Sequence, residues 1–124
     1  MGARVLIVED NPLNLKLIRD VLEFQGFEVV IARSGEEGVA VAATTPPDLI
    51  LMDLQLPGIG GHEALQRIHA DPRSRDVPVV AVTAFAMKED IERAEAAGFA
   101  GYIAKPISVR ALPEQLAQFL PGGS

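Results

Sequence analysis

The 124-residue sequence predicts one α/β domain with a parallel sheet covered by helices on both faces. Short apolar runs alternate five times with segments of helical spacing, and no internal repeat interrupts this alternation. The run from Leu49 to Met52 is wholly apolar, which is typical of a strand buried on both faces. Right-handed crossovers between such strands favour a flavodoxin-like doubly wound sheet with strand order 2-1-3-4-5.

The strands and helices are bounded by glycine and proline residues at several points. Strands are predicted at residues 4–8, 27–32, 49–52, 78–82 and 101–104. Helices are predicted at 11–25, 34–43, 62–70, 87–97 and 108–120. Gly26 and Gly98 end the first and fourth helices, and Pro46-Pro47 ends the second. We therefore expect a single domain over residues 1–120 and a flexible C-terminal tail over 121–124.

Pro113 conflicts with a last helix that begins at Ser108. A proline five residues into a helix removes a hydrogen bond and clashes with the preceding turn. The helix is therefore expected either to begin late, near Leu112, or to kink.

The first helix has more apolar surface than one contact requires. Its apolar side chains span an arc of roughly 200°, against a usual stripe of about 100°. They are Leu13, Leu15, Leu17, Ile18, Val21, Leu22 and Phe24. Two interpretations remain open: the helix is buried on two sides, by the sheet and the last helix, or it offers a docking face for a partner helix bundle.

Composition excludes several classes of protein. The formal charge of −6 and the dispersed Lys and Arg residues argue against direct nucleic-acid binding. With no cysteine, the chain has no disulfide or zinc-thiolate site. No apolar stretch approaches the roughly 20 residues of a membrane span, and the first residues lack a secretory signal. We expect a soluble cytoplasmic protein that does not associate with membranes.

Polar residues stand at the carboxyl ends of four predicted strands. Glu9 and Asp10 follow the first strand, Asp53 the third, Thr83 the fourth and Lys105 the fifth. Because these strand ends meet at one edge of a parallel sheet, their side chains are expected to surround one crevice. Carboxylates without His or Cys suit Mg²⁺, or Mn²⁺ as an alternative.

Asp53 is the candidate nucleophile of this crevice. A carboxylate beside a divalent cation and an ammonium group stays ionised and can attack a phosphoryl group, forming an acyl phosphate. The Thr83 hydroxyl and the Lys105 ammonium are the candidate ligands of the phosphoryl oxygens, where charge gathers during transfer.

Four segments closely resemble the receiver domains of two-component response regulators. They are VLIVEDN at 5–11, DLILMDLQLPGIGG at 48–61, PVVAVTAFAMKED at 78–90 and GYIAKPI at 101–107. Within that family the chain is most similar to stand-alone receivers that regulate cell division, and also to receivers fused to hybrid kinases.

This resemblance implies that Asp53 accepts a phosphoryl group from a phosphohistidine on a sensor histidine kinase or a histidine phosphotransfer protein. It implies that Mg²⁺ is held by Asp10, Asp53 and the backbone carbonyl of Gln55, with Glu9 acting mainly through water.

The resemblance also implies a switch and an output surface. Thr83 matches the switch hydroxyl, Lys105 the phosphate contact and Tyr102 the switch aromatic residue, and the Lys105–Pro106 bond is expected to be cis. A downstream protein target is expected to bind helix 4, strand 5 and helix 5. In this chain that face carries Phe85, Met87, Ile91, Tyr102 and Pro113.

Three other functions are compatible with part of this pattern. A degenerate receiver could act as a scaffold without phosphorylation. An aspartate-nucleophile phosphatase would need an acid where Gln55 stands, and a flavin mononucleotide domain would need a Ser/Thr-rich loop where Glu9 and Asp10 would repel phosphate.

Overall fold

A computed structural model describes residues 3–84 and 86–120 and contains a five-stranded parallel sheet. The strand order is β2-β1-β3-β4-β5, which confirms the predicted fold class and topology. The strands are β1 Arg4–Val8, β2 Glu28–Ala32, β3 Leu49–Asp53, β4 Val79–Thr83 and β5 Gly101–Ala104.

Five helices connect and cover the strands. They are α1 Pro12–Phe24, α2 Gly35–Thr44, α3 Gly61–Ala70, α4 Lys88–Ala97 and α5 Leu112–Ala117. The first four begin and end within one residue of the predicted positions. None of the helices in the described ranges has the length and apolar character needed to cross a membrane.

The last helix is shorter than the predicted segment and begins late. Residues 108–111 form a turn in which the Ser108 carbonyl accepts the Leu112 N–H at 2.9 Å, and α5 starts at Leu112. Pro113 therefore lies in the first turn of α5. The N–H groups of a first turn have no partner within the helix, so a proline there costs no helical hydrogen bond. The late start is confirmed. The predicted tail, 121–124, lies outside the described residues.

The hydrophobic core forms two layers, one on each face of the sheet. In β1, Val5 and Ile7 pack on the side of α1 and α5, whereas Leu6 and Val8 pack on the side of α2, α3 and α4. This alternation follows from the two-residue period of a strand. Because both faces are covered, the central strands are apolar throughout, and their polar residues are confined to their ends.

The apolar arc of α1 is only partly covered. Leu15, Ile18 and Leu22 are buried, while Leu13 and Phe24 keep 79% and 87% of their surface exposed. Burial by the sheet and α5 therefore accounts for the side of the arc that holds Leu15, Ile18 and Leu22, and it leaves the opposite edge, with Leu13 and Phe24, open. The helix begins at a well-formed cap, since the Asn11 side chain accepts the backbone N–H groups of Leu13 and Asn14.

Two substitutions in α1 test this difference in burial. Leu22→Ala should lower the free energy of unfolding by about 2–5 kcal/mol, because it leaves a cavity in the core between the sheet and α5. Phe24→Ala, two residues away on the same helix, should change it by no more than about 0.5 kcal/mol. Urea unfolding of both variants measures the difference, and equal losses would contradict the described packing.

Candidate functional site

The predicted polar residues lie together at the carboxyl edge of the sheet. Glu9 and Asp10 directly follow β1, Asp53 is the last residue of β3, and Thr83 is the last residue of β4. Asp53 is paired in register with Val82, next to Thr83. The Thr83 carbonyl accepts the backbone N–H of Lys105 at 2.8 Å, which joins the ends of β4 and β5.

Three carboxylates form a cluster at this edge. Glu9, Asp10 and Asp53 each offer one oxygen, and these oxygens all lie within 4.8 Å of one another. Glu9 and Asp53 are buried, with 1% and 2% exposure, whereas Asp10 is exposed. The cluster thus has a buried floor and an open side. Oxygen donors in this number suit a hard divalent cation that keeps several waters.

Lys105 contacts both buried acids. Its Nζ lies 3.1 Å from Asp53 Oδ2 and 3.4 Å from Glu9 Oε1. An ammonium group that is shared between two carboxylates cannot neutralise three of them. The electrostatics of the cluster therefore favour a further positive charge, or a proton, among the carboxylates.

Glu9 is the acid with the most perturbed titration. Burial raises its pKa to about 7, and the nearby Asp53 carboxylate raises it as well, against the opposing effects of the Asn11 N–H and Lys105. Its Oε2 accepts the Asn11 N–H at 3.2 Å. Its Oε1 has no hydrogen-bond partner within residues 3–84 and 86–120. Apart from its ion pair with Lys105 this buried oxygen is unsatisfied, and a bound water or cation would satisfy it, so the side chains present fit a cation site.

The loop that follows Asp53 turns back tightly on the strand. Asp53 Oδ1 accepts the backbone N–H of Gln55 at 2.9 Å, while the Gln55 side chain is exposed. Gly61, the first residue of α3, approaches the Asp53 carbonyl so closely that a Cβ there would lie 2.9 Å from it. The carboxylate of Asp53 is thereby held in a defined orientation by the loop.

Two further predicted residues lie on the adjacent strands β4 and β5. Thr83 is buried, and Tyr102 on β5 keeps 41% of its surface exposed. The Lys105–Pro106 bond is cis, as expected. Glu36, in the first turn of α2, was not among the predicted residues. Its carboxylate accepts the Ile59 N–H, from the loop after Asp53, at 3.3 Å. Two adjacent glutamates at a helix start carry no sequence signal of such a contact, because acids there commonly cap helices.

The chain is similar to known response regulators in both sequence and structure. Residues 5–117 match the response regulator receiver domain family. The chain is 48% identical over 120 residues to the polar-differentiation response regulator DivK of Brucella ovis, covering 97% of this chain and 98% of that protein. The same protein of Brucella anthropi shows the same identity and coverage.

Two solved structures share the fold. The receiver domain of a sensor histidine kinase from Pseudomonas aeruginosa superimposes with a TM-score of 0.87 at 36% identity, covering 96% of this chain and 98% of that one. That structure holds a magnesium ion in its active-site cleft. Chemotaxis response regulator CheY4 of Vibrio cholerae gives a TM-score of 0.91 at 26% identity, covering 97% of this chain and all of that one. Sequence and fold thus agree that this chain belongs to the response regulator receiver domain family, the phosphoacceptor proteins of two-component signalling.

Proposed function

We propose that Asp53 accepts a phosphoryl group from a phosphohistidine in a Mg²⁺-dependent reaction, and that the phosphoaspartate changes which proteins the domain binds. The donor is a sensor histidine kinase or a histidine phosphotransfer protein in the cytoplasm. The observation that carries the proposal is the placement of Asp53, whose two oxygens separately contact the loop N–H of Gln55 and the ammonium of Lys105.

Asp10, Asp53 and the backbone carbonyl of Gln55 would hold the cation, with Glu9 acting through water. The exposed Asp10 leaves room for water ligands, which Mg²⁺ retains in most protein sites. The bound cation would neutralise charge between the Asp53 carboxylate and the phosphoryl oxygens. The magnesium ion of the Pseudomonas receiver supports this choice. Mn²⁺ favours the same oxygen donors and is the alternative.

In the transfer step, one carboxylate oxygen of Asp53 attacks the phosphorus atom. A P–O bond forms, the P–N bond to the donor imidazole breaks, and the imidazole leaves with the electron pair. The Lys105 ammonium contacts Asp53 before the transfer, and it would contact the phosphoryl oxygens as negative charge develops on them. Burial of Asp53 supports this chemistry, since charged contacts are stronger where water is excluded.

Thr83 and Tyr102 would convert the phosphoryl group into a change of surface. The Thr83 hydroxyl would donate a hydrogen bond to a phosphoryl oxygen and so favour one of two existing arrangements of the loop after β4. Tyr102 lies on the neighbouring strand β5, paired with Ala81 of β4, and its part-exposed ring would move inward in response. These two positions connect the phosphorylated edge to the outer face.

Downstream targets would bind the face formed by α4, β5 and α5. Met87, directly before α4, keeps 71% of its surface exposed, and Tyr102 on β5 keeps 41%. Ile91 is half-buried, and Phe85 lies outside the described residues.

The donor protein would dock near the start of α1, where exposed Leu13 lies three residues past Asp10. Exposed apolar side chains of this kind are frequent in interfaces.

A phosphorylation-independent scaffold remains the main alternative. It would bind partners through the same exposed faces without using the acidic cluster. The aspartate-nucleophile phosphatase is less well supported, because the amide of Gln55 cannot serve as the general acid two residues after the nucleophile.

Replacing the nucleophile tests the proposed reaction. Asp53→Asn should abolish the Mg²⁺-dependent gain of one phosphoryl group from acetyl phosphate, because an amide cannot form the acyl phosphate. Asp48→Asn is the matched control, since Asp48 precedes the same strand at its opposite end and binds the Arg4 N–H. Intact-mass spectrometry with and without EDTA measures the gain. Equal phosphorylation of Asp53→Asn and the wild type would contradict the proposal.

Replacing the switch hydroxyl tests the coupling. The chain has one tyrosine and no tryptophan, so its intrinsic fluorescence reports on Tyr102. Phosphorylation should change this fluorescence in the wild type and in Thr44→Ala, a control on the exposed face of α2. Thr83→Ala should take up the phosphoryl group with little change in fluorescence. An unaltered wild-type response in Thr83→Ala would rule out its role as the switch.

A further inference from the structure

Glu36 contacts the loop that carries a proposed metal ligand. It lies in the first turn of α2, and its Oε2 accepts the backbone N–H of Ile59, across 23 positions of sequence, at 3.3 Å. Ile59 belongs to the loop at 54–60, which connects Asp53 to α3 and includes Gln55. We propose that Glu36 is a positioning residue that holds this loop in the arrangement required for Mg²⁺ binding; the inference rests on the proposed function.

The loop fits closely around the Glu36 carboxylate. Gly58 has a φ of +75°, a conformation that L side chains rarely adopt. A Cβ at this position would lie 2.6 Å from Glu36 Oε2 and 2.7 Å from Oε1. The carboxylate therefore occupies the space that a side chain at position 58 would take, and the backbone of the loop can approach it.

The neighbouring residue of α2 makes a second close contact with the same loop. A Cβ at Gly35 would lie 2.6 Å from Cγ1 of Ile59. The half-buried Ile59 side chain in turn packs against the core layer under α2 and α3. The loop is thus held by an apolar contact at Gly35 and by a charged hydrogen bond at Glu36, from two successive positions of one helix.

The adjacent Glu37 has a different role. Its Oε1 accepts the Arg33 N–H at 2.7 Å, and its own N–H donates to the Ser34 hydroxyl at 3.1 Å. This reciprocal pattern caps the start of α2. With the cap supplied by Ser34 and Glu37, the contact of Glu36 with Ile59 serves the loop.

Holding the loop in place affects metal affinity through preorganisation. A loop that samples several arrangements binds a ligand more weakly, in proportion to the fraction of molecules in the competent arrangement. Gly58 and Gly60 give this loop conformational freedom, which the contacts with α2 restrict. Loss of the Glu36 contact should therefore weaken Mg²⁺ binding although Glu36 itself does not contact the ion.

Calorimetric titration of Mg²⁺ into the full chain tests this inference. Glu36→Ala should bind Mg²⁺ about three- to tenfold more weakly than the wild type, as expected for the loss of one hydrogen bond to a charged group at the surface. Glu36→Gln loses the same charge and keeps an acceptor oxygen, so it should bind close to the wild-type level. Wild-type affinity in Glu36→Ala, or equal weakening in both variants, would overturn the inference.

Amide hydrogen exchange at Ile59, measured with EDTA, provides a readout that does not depend on metal. Exchange should accelerate in Glu36→Ala and not in Glu36→Gln. Failure of the wild type to bind Mg²⁺ at all would overturn the proposed metal site, and the inference with it. Saturable wild-type binding with unchanged exchange at Ile59 in Glu36→Ala would overturn the inference alone.

Discussion

The arrangement of this molecule depends on an excess of negative charge at one edge of a parallel sheet. Glu9, Asp10 and Asp53 converge there, and two of these acids are buried. Lys105 offsets part of the charge by contacting both buried carboxylates. Burial also raises the pKa of Glu9, so a proton or a cation must supply the remaining positive charge. Carboxylates with such an excess of negative charge favour the binding of a divalent cation, and the bound cation in turn would attract the oxygens of a phosphoryl group.

The strands that lead to this acidic edge are otherwise apolar. Strands β3 and β4 are buried along their length and end in Asp53 and Thr83, so the polar residues of the site lie where these strands meet the loops. The backbone hydrogen bond from the Lys105 N–H to the Thr83 carbonyl joins Lys105 to the end of β4. The paired strands therefore fix where Asp53, Thr83 and Lys105 stand relative to one another.

The sequence predicted most of this architecture because its signals are local. Apolar strand runs and glycine stops located nine of the ten elements to within one residue. Polar residues at strand ends identified the site, since parallel strands bring their carboxyl ends together. Pro113 left two geometries open for α5, because sequence cannot show whether a preceding turn forms separately from the helix. The structure shows that it does.

Features that depend on packing between distant elements could not be predicted. The exposure of Leu13 and Phe24 depends on which side of α1 meets the sheet and α5, and that side holds Leu15, Ile18 and Leu22. His69 is half-buried, with Nε2 lying 3.3 Å from the Val77 carbonyl, a contact between positions eight residues apart. The contact of Glu36 with the loop after Asp53 likewise depends on the placement of α2 beside α3, which has no signature in a single sequence.

The central claim is that the acidic edge binds a divalent cation in competition with a proton on Glu9. The most direct test is Mg²⁺ affinity measured between about pH 6 and pH 8 for the wild type and Glu9→Gln. Because Glu9 with a pKa of about 7 is mostly neutral at the lower pH and charged at the higher, wild-type affinity should rise about tenfold across this range. Glu9→Gln has no such proton to lose and should show a smaller change. Wild-type affinity that stays constant with pH, or the absence of saturable binding, would contradict the account.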